Sequence, residues 1–218
     1  IKELIDAGEG EGWDDPRVPT IKSLRRRGIR GQAIVDAMVG LGTSTSNVDL
    51  SMSTVYANNR DLVDDETDRY FLVRDGEAFA VEGGPDSAHP PLHPSFEERG
   101  TRDIPVGDGV RLESGDVPAE GERVWLKGFG AVRREGDSLV ATGDDLDVVR
   151  EGDVPVIHWV PTDGVPVRMR TLDGDVTGVA EPDFGDVPED ELVQFERVGF
   201  VRVDDRGDDE TVVYFAHK

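Results

Sequence analysis

The sequence predicts an α+β, multi-domain chain, with a small N-terminal helical bundle followed by two small antiparallel β-barrels. Apolar residues recur at helical spacing as far as Glu66. From Arg69 onward, short runs rich in Val, Ile, Phe and Trp alternate with Gly- and Asp-rich turns such as Arg74-Asp75-Gly76. At 218 residues, 36% of them hydrophobic, the chain has room for several domains with small cores.

The helical part reads in order. Ile1 to Ala7 resembles a helix end closed at Gly8. The chain begins without a start methionine and reads as a fragment of a longer one. Thr20 is placed to cap a helix over 21–27, with Gly28 as its stop. A second helix over 31–41 sets Ala33, Ile34, Ala37, Met38 and Leu41 on one face and stops at Gly42. A polar loop follows at 43–47, then a third helix capped by Ser51 and carrying Met52, Val55 and Tyr56, then a fourth segment from Asn59 to Glu66. Helices this short must pack on each other or on another domain. Strands are expected at 69–74, 77–82, 101–106, 109–112, 123–127, 129–134, 138–142, 146–149, 154–160, 165–171, 192–197, 198–204 and 211–216. Segments 85–94 and 181–190 read as loops.

Charge is the unusual feature. Acids number 47 against 24 bases, a net charge of -23, and only four of the bases are lysine. The acids are scattered, not gathered in a tail, which suits a folded protein in a very salty cytoplasm. At 1 M salt the Debye length is about 3 Å, so self-repulsion is screened. Counterion release also contributes little there, so an acidic balance does not exclude RNA. Within this background Arg17, Lys22, Arg25, Arg26, Arg27 and Arg30 form a stretch with no acid among them. A polyanionic partner would explain it. The absence of cysteine excludes disulfides and cysteine–metal sites. No apolar run reaches the ~18 residues of a membrane span, and no signal-peptide pattern opens the chain. A cytoplasmic protein with no membrane partner is expected.

Five segments then carry a resemblance. In order, GWDDPRVPTIKSLRRRGI, DETDRYFLV, HPSFEERGTRDIPV, VPVIHWV and LVQFERVGF closely resemble the C-terminal half of the archaeal and eukaryotic glutamyl-tRNA synthetases and the related glutaminyl-tRNA synthetases. The family's nucleotide-binding signatures, of His-Ile-Gly-His and Lys-Met-Ser-Lys-Ser type, are not in this sequence. The resemblance implies a region that contacts tRNA-Glu, and tRNA-Gln as a further possibility, beside its own N-terminal catalytic domain, with no role for DNA. It implies no cofactor in this chain. ATP and Mg²⁺ belong to the complete enzyme, which activates glutamate and transfers it to tRNA. The chain alone would be inactive. NRDLVDDETDRYFLV favours the glutamyl over the glutaminyl branch. A non-catalytic RNA- or protein-interaction module is the rival from another class.

The resemblance also assigns residues and domains. Arg69, Gln194 and Arg197 match contacts to the middle anticodon base, a uridine, whose Watson–Crick edge suits amide and guanidinium groups. Each has a plainer reading, Arg69 paired with Asp68 or Glu66 and Arg197 with Glu196. If they share a pocket, the first barrel is discontinuous: 1–68 helical and stem-contacting, 69–108 with 154–218 the first anticodon-binding barrel, 109–153 the second. Lys127 could touch the anticodon backbone or simply face solvent. Lys22, Arg25 and Arg26 are phosphate candidates, with the alternative that these arginines and Arg17 pair with Asp14 or Asp15. Successive helical residues lie ~100° apart, so Arg25, Arg26 and Arg27 cannot face one partner together. Ser44, Thr45 and Ser46 match a turn on the inner face of the tRNA, or else satisfy backbone groups. The glutaminyl family's basic pair has no counterpart at Asp116-Val117-Pro118. His89 and His93 are four apart, but Pro90, Pro91 and Pro94 forbid the helix that spacing would need for a metal. His158 reads as a satisfied strand histidine.

Overall fold

The computed structural model describes residues 12–18, 20–42, 50–144, 149 and 154–218. The expected helix at Ile1–Ala7, the loop with Ser44, Thr45 and Ser46, and most of the expected strand at 146–149 lie outside them. Among the described residues, three α-helices lead into a mostly β structure: α1 (Ile21–Arg26), α2 (Gly31–Gly40) and α3 (Met52–Val63). None of the described helices is long and apolar enough to cross a membrane.

Thr20 caps α1 as its sequence position predicts, its hydroxyl accepting from the Ser23 N–H at 3.0 Å. Gly28 ends the helix at φ +89, with Ile29 N–H bonded back to the Leu24 carbonyl at 2.9 Å. A Cβ on Gly28 would stand 2.5 Å from Leu192 Cδ1. Gly28→Ala is therefore expected to destabilise the fold by about 1–2 kcal/mol, read as a lower unfolding midpoint in denaturant. An unchanged midpoint would show that the helix end tolerates a side chain there.

The third and fourth helical segments are one helix, α3, with a single 3₁₀ turn at Asp64–Glu66. Asn59, read as the start of a new segment, is instead fully buried at mid-helix. Its amide is satisfied outside the helix, accepting from Arg30 N–H at 2.8 Å and meeting His217 Nε2 at 2.8 Å. Ala33 and Ala37 of α2 are buried, but Met38 and Leu41 are exposed, so the predicted apolar face is narrower than expected. The helices share their core with the sheet beyond: Ile29, Ala33, Val55 and Val63 pack with Phe200 and Ala216.

Two seven-stranded sheets follow. One holds β1 (Arg69–Tyr70), β2 (Leu72–Val73), β12 (Val165–Thr171), β13 (Gly174–Ala180), β14 (Leu192–Phe195), β15 (Gly199–Arg206) and β16 (Thr211–His217), in the order β1-β14-β15-β16-β12-β13-β2. Its two end strands are separated in the chain by Phe71 alone, so the sheet comes close to a barrel. The other holds β3 (Gly76–Glu82), β6 (Val110–Glu113), β7 (Arg123–Leu126), β8 (Gly130–Glu135), β9 (Ser138–Gly143), β10 (Val156–Ile157) and β11 (Val160–Pro161), in the order β10-β7-β8-β9-β3-β6-β11. Here only His158 and Trp159 separate the end strands. A short ladder of β4 (Ser87–Ala88) and β5 (Ile104–Pro105) lies in the expected 85–94 loop and the expected strand 101–106.

The expected purely antiparallel pairing needs correction. Four pairs are parallel: β1 with β14, β7 with β10, β3 with β9 and β12 with β16. Two of them, β1 with β14 and β7 with β10, involve the strands read at 69–74 and 154–160, each of which breaks in the middle and serves both ends of its sheet. The strand β13 was not predicted, since Gly178 weakens its pattern. That glycine is where β2 approaches closely: a Cβ there would lie 2.7 Å from the Val73 carbonyl oxygen. Cores fill each sheet, one around Trp159, Phe79 and Leu126, the other around Phe184, Phe195 and Val201.

Candidate nucleic-acid interface

The residues expected to read the middle anticodon base fall on one hairpin and its neighbour. β1 pairs with β14 so that Arg69 is in register with Gln194, and Tyr70 with Phe195. Tyr70 and Phe195 are buried, so alternation turns Arg69 and Gln194 to the other, partly exposed face. The register is fixed by Gln194 N–H donating to the Asp68 carbonyl at 2.9 Å and Glu196 N–H to the Tyr70 carbonyl at 3.0 Å. Arg197 sits three residues beyond Gln194, in the turn between β14 and β15, at φ +64.

Each of these arginines is ion-paired, though not with the acids expected from the sequence. Arg69 meets Asp64 at 3.3 Å. Its Nε is buried without a partner among the described residues. Arg197 makes a forked pair with Asp116 at 2.5 and 2.9 Å and donates from Nη1 to His158 Nδ1 at 3.2 Å. Foremost the hydrogen bond to Asp116, and then the charges of Asp116 and Glu113, raise its pKa further from the titration range. A guanidinium has five N–H donors. With three engaged, Nε–H and one Nη2–H remain free among the described residues. The Gln194 amide likewise has no side-chain partner among them.

Lys127 reaches into the same turn, but through an acid: its ammonium pairs with Glu196 and lies 5.9 Å from the Phe71 ring centroid. Glu196 also takes a bond from Arg102 at 3.4 Å. Arg102, which carried no signal in the sequence, is fully buried and bonded to the equally buried Glu181 at 3.0 Å, with its guanidinium 4.4 Å from the Phe71 centroid. Burial pushes the Glu181 carboxyl up to about 8, against the pull of Arg102 and of the Phe71 N–H it accepts at 2.6 Å.

The arginine triplet of α1 divides three ways. Arg27 turns inward and donates to the Phe215 and Ala216 carbonyls and to the Tyr56 hydroxyl. Arg26 is clamped between Asp204 at 2.8 Å and Asp14 at 3.0 Å, 4.6 Å from the centroid of Tyr214. Arg25 and Lys22 are exposed and free of ion pairs among the described residues. Arg17 pairs with buried Asp15 at 2.6 Å, which holds the turn before the helix. Arg25 lines a groove of about 510 Å³ between the helices and the β14–β15 hairpin, with Ile21, Gly28, Leu192 and Arg202. Leu192 is two residues from Gln194, so the groove leads from α1 towards the Arg69–Gln194 face.

One group of possible metal ligands stands among the described residues. Asp64, Asp65 and His93 have their ligand atoms within 4.8 Å of one another. Both ring nitrogens of His93 are already engaged, Nδ1 accepting from Ser95 N–H and Nε2 donating to the Asp64 carbonyl, which leaves no lone pair for an ion. His89 is exposed, 3.5 Å from Asp103.

Comparison with known proteins gives the family. Two models described as tRNA synthetases class I (E and Q), anti-codon binding domain, match residues 67–149 and 156–204. Glutamate–tRNA ligase of Natronomonas pharaonis is 63% identical over 218 residues, 100% of this chain and 38% of that protein. The ligase of Haloarcula marismortui is 58% identical over 226 residues, again 100% of this chain and 39% of its own length. That of Methanosarcina barkeri is 40% identical over 224 residues, 100% of this chain and 39% of its length. The chain thus spans 38–39% of the length of these relatives. Relatives from haloarchaea accord with the scattered acidic surface. The chain belongs to the anticodon-binding family of the class I glutamyl- and glutaminyl-tRNA synthetases.

Proposed function

We propose that this chain is the tRNA-positioning and anticodon-reading region of a glutamate–tRNA ligase, and that Arg69, Gln194 and Arg197 read the middle anticodon uridine. The observation that carries the reading is the register of Arg69 with Gln194 on one partly exposed face, with two donors of Arg197 still free among the described residues. A uracil edge offers two carbonyl acceptors and one N–H donor. An amide beside guanidinium groups matches all three. In this reading Lys22 and Arg25 meet phosphates of the stem, Arg26 lies behind them, Ser44, Thr45 and Ser46 add hydroxyl contacts, and Lys127 supports the turn through Glu196. The helical unit is 1–68 and closure of each sheet gives two barrels. The working division 69–108 with 154–218, and 109–153, is then best redrawn along the strand pairing, with 76–161 as the second barrel.

The whole enzyme would use ATP and Mg²⁺ to activate glutamate, in the cytoplasm, and its catalytic domain would be this region's protein partner. The family's two nucleotide-binding signatures are not in this sequence, so the chain alone is expected to be inactive in aminoacylation. Its RNA partner is tRNA-Glu, with tRNA-Gln sharing the middle uridine.

The test is binding in several molar KCl of tRNA-Glu carrying uridine or cytidine at the middle anticodon position. A uridine-to-cytidine change exchanges an acceptor for a donor and is expected to weaken binding by roughly tenfold or more. Equal binding of both would sink the base-reading assignment and favour a general interaction module.

A further inference from the structure

We propose that His158 is a positioning residue for Arg197, holding its guanidinium in the orientation that reads the middle anticodon base. The inference rests on the base-reading role above. His158 lies in the break between β10 and β11 and is 2% exposed. Its Nε2 is 2.7 Å from the Leu72 carbonyl, an acceptor only, so the proton sits on Nε2. Nδ1 is then an acceptor, and it faces Arg197 Nη1 at 3.2 Å. The tautomer is thus set by the backbone of one sheet and used by a side chain of the same sheet, through a ring that belongs to the other.

Arg197 needs such a hold. It is one of two described non-glycine residues at positive φ, the other being Asp190. A strained backbone persists where its surroundings over-determine it. Glu196 is tied by Arg102 and Lys127, and Arg197 by Asp116. A carboxylate pair alone lets a guanidinium swing with its partner's side chain. A third bond from a buried ring fixes its plane, and with it the direction of the free Nε–H and Nη2–H.

Protonation would reverse the arrangement. The groups facing the ring are Arg197, Asp116, Glu113, the Leu72 carbonyl and the Phe71 ring, with Arg74 behind Glu113. Burial is the main cause that lowers the His158 pKa, helped by Arg197, while Glu113, Asp116 and the Leu72 carbonyl oppose it. A second proton on Nδ1 would turn the acceptor into a donor and set a cation against Arg197.

The experiment measures the uridine-to-cytidine binding ratio of the full chain from about pH 8 down to the acid limit of the folded state, a range that runs well below the ordinary histidine value because burial holds His158 under it. The wild-type ratio is expected to fall at the acid end. His158→Phe should lower the ratio roughly fivefold at neutral pH, the worth of one hydrogen bond, and make it independent of pH. A wild type with no uridine preference overturns the base-reading role and this one with it. A wild-type preference that His158→Phe retains, or that pH does not move, overturns the positioning role alone. Should His158→Phe fail to fold, nitrogen-15 spectra of the histidine rings decide: Arg197→Ala is expected to shift His158 Nδ1, and an unmoved resonance overturns the inference.

Discussion

Arg102→Leu is expected to lose about 3–5 kcal/mol of stability above about pH 8, where Glu181 is ionised, because it strands that carboxylate in the interior without its cation. Both side chains are fully buried, and Glu196 loses a donor as well. The loss should shrink as pH falls below that value. Glu181 already titrates above its ordinary value, at about 8, and without Arg102 it will titrate higher still. The folded state therefore binds this proton more tightly than the unfolded chain, whose glutamate titrates near about 4.3. Stability is present below that value and is lost as pH rises through the folded value. Denaturant melts of Arg102→Leu and Arg102→Leu/Glu181→Gln across pH test the cause. The double variant keeps an acceptor for the Phe71 N–H, carries no charge, and should recover part of the loss above about pH 8. If both lose the same amount at every pH, the arginine acts by packing over Phe71 and not by charge.

Arg197→Ala and Arg69→Ala are each expected to weaken binding of the middle-uridine tRNA by about tenfold to a hundredfold, from the loss of charged hydrogen bonds worth about 1.5–3 kcal/mol. Neither arginine must abandon a costly partnership first. Asp64 and Arg69 are 38% and 22% exposed, and pairs of that kind contribute about 0–1 kcal/mol. Arg197 is paired with Asp116, and in the proposed role it would keep that pair and read with the donors left over. Both substitutions should act far less on the middle-cytidine tRNA. Lys22→Ala and Arg25→Ala should instead weaken all tRNAs alike, and modestly in multimolar salt, since phosphate contacts carry no base information. A uniform loss for Arg197→Ala as well would reduce it to a phosphate contact.

How much of this was legible in the sequence depended on range. Local signals held: the Thr20 cap, the Gly28 stop and the strand 165–171 are set by neighbours within a few residues. The inner half of the helical face and most turns belong to the same class. What the sequence hid depends on distant partners. Asn59 resembles a helix break until His217 and Arg30 take its amide. The strands at 69–74 and 154–160 look continuous because a strand that changes sides keeps its composition. Arg102 and Glu181 are two charges among 71, and nothing local marks them as the buried pair. The partners of Arg69 and Arg197 were misjudged for one reason: with so many acids nearby in sequence, the pair that forms is decided by which loop folds over the site. Asp116, noted only as a place lacking basic residues, turned out to grip Arg197.

The break at Phe71 has a consequence for how the protein is made. Strands β1 and β2 emerge early, yet their sheet partners are β14 and β13, more than a hundred residues later. The described strands from Gly76 to Pro161 can pair among themselves before those partners exist. On the ribosome, the sheet that carries Lys127 and His158 can therefore close first, and Tyr70 to Val73 must wait unpaired beside it. The Arg69–Gln194 face is among the last parts of the molecule to come into being.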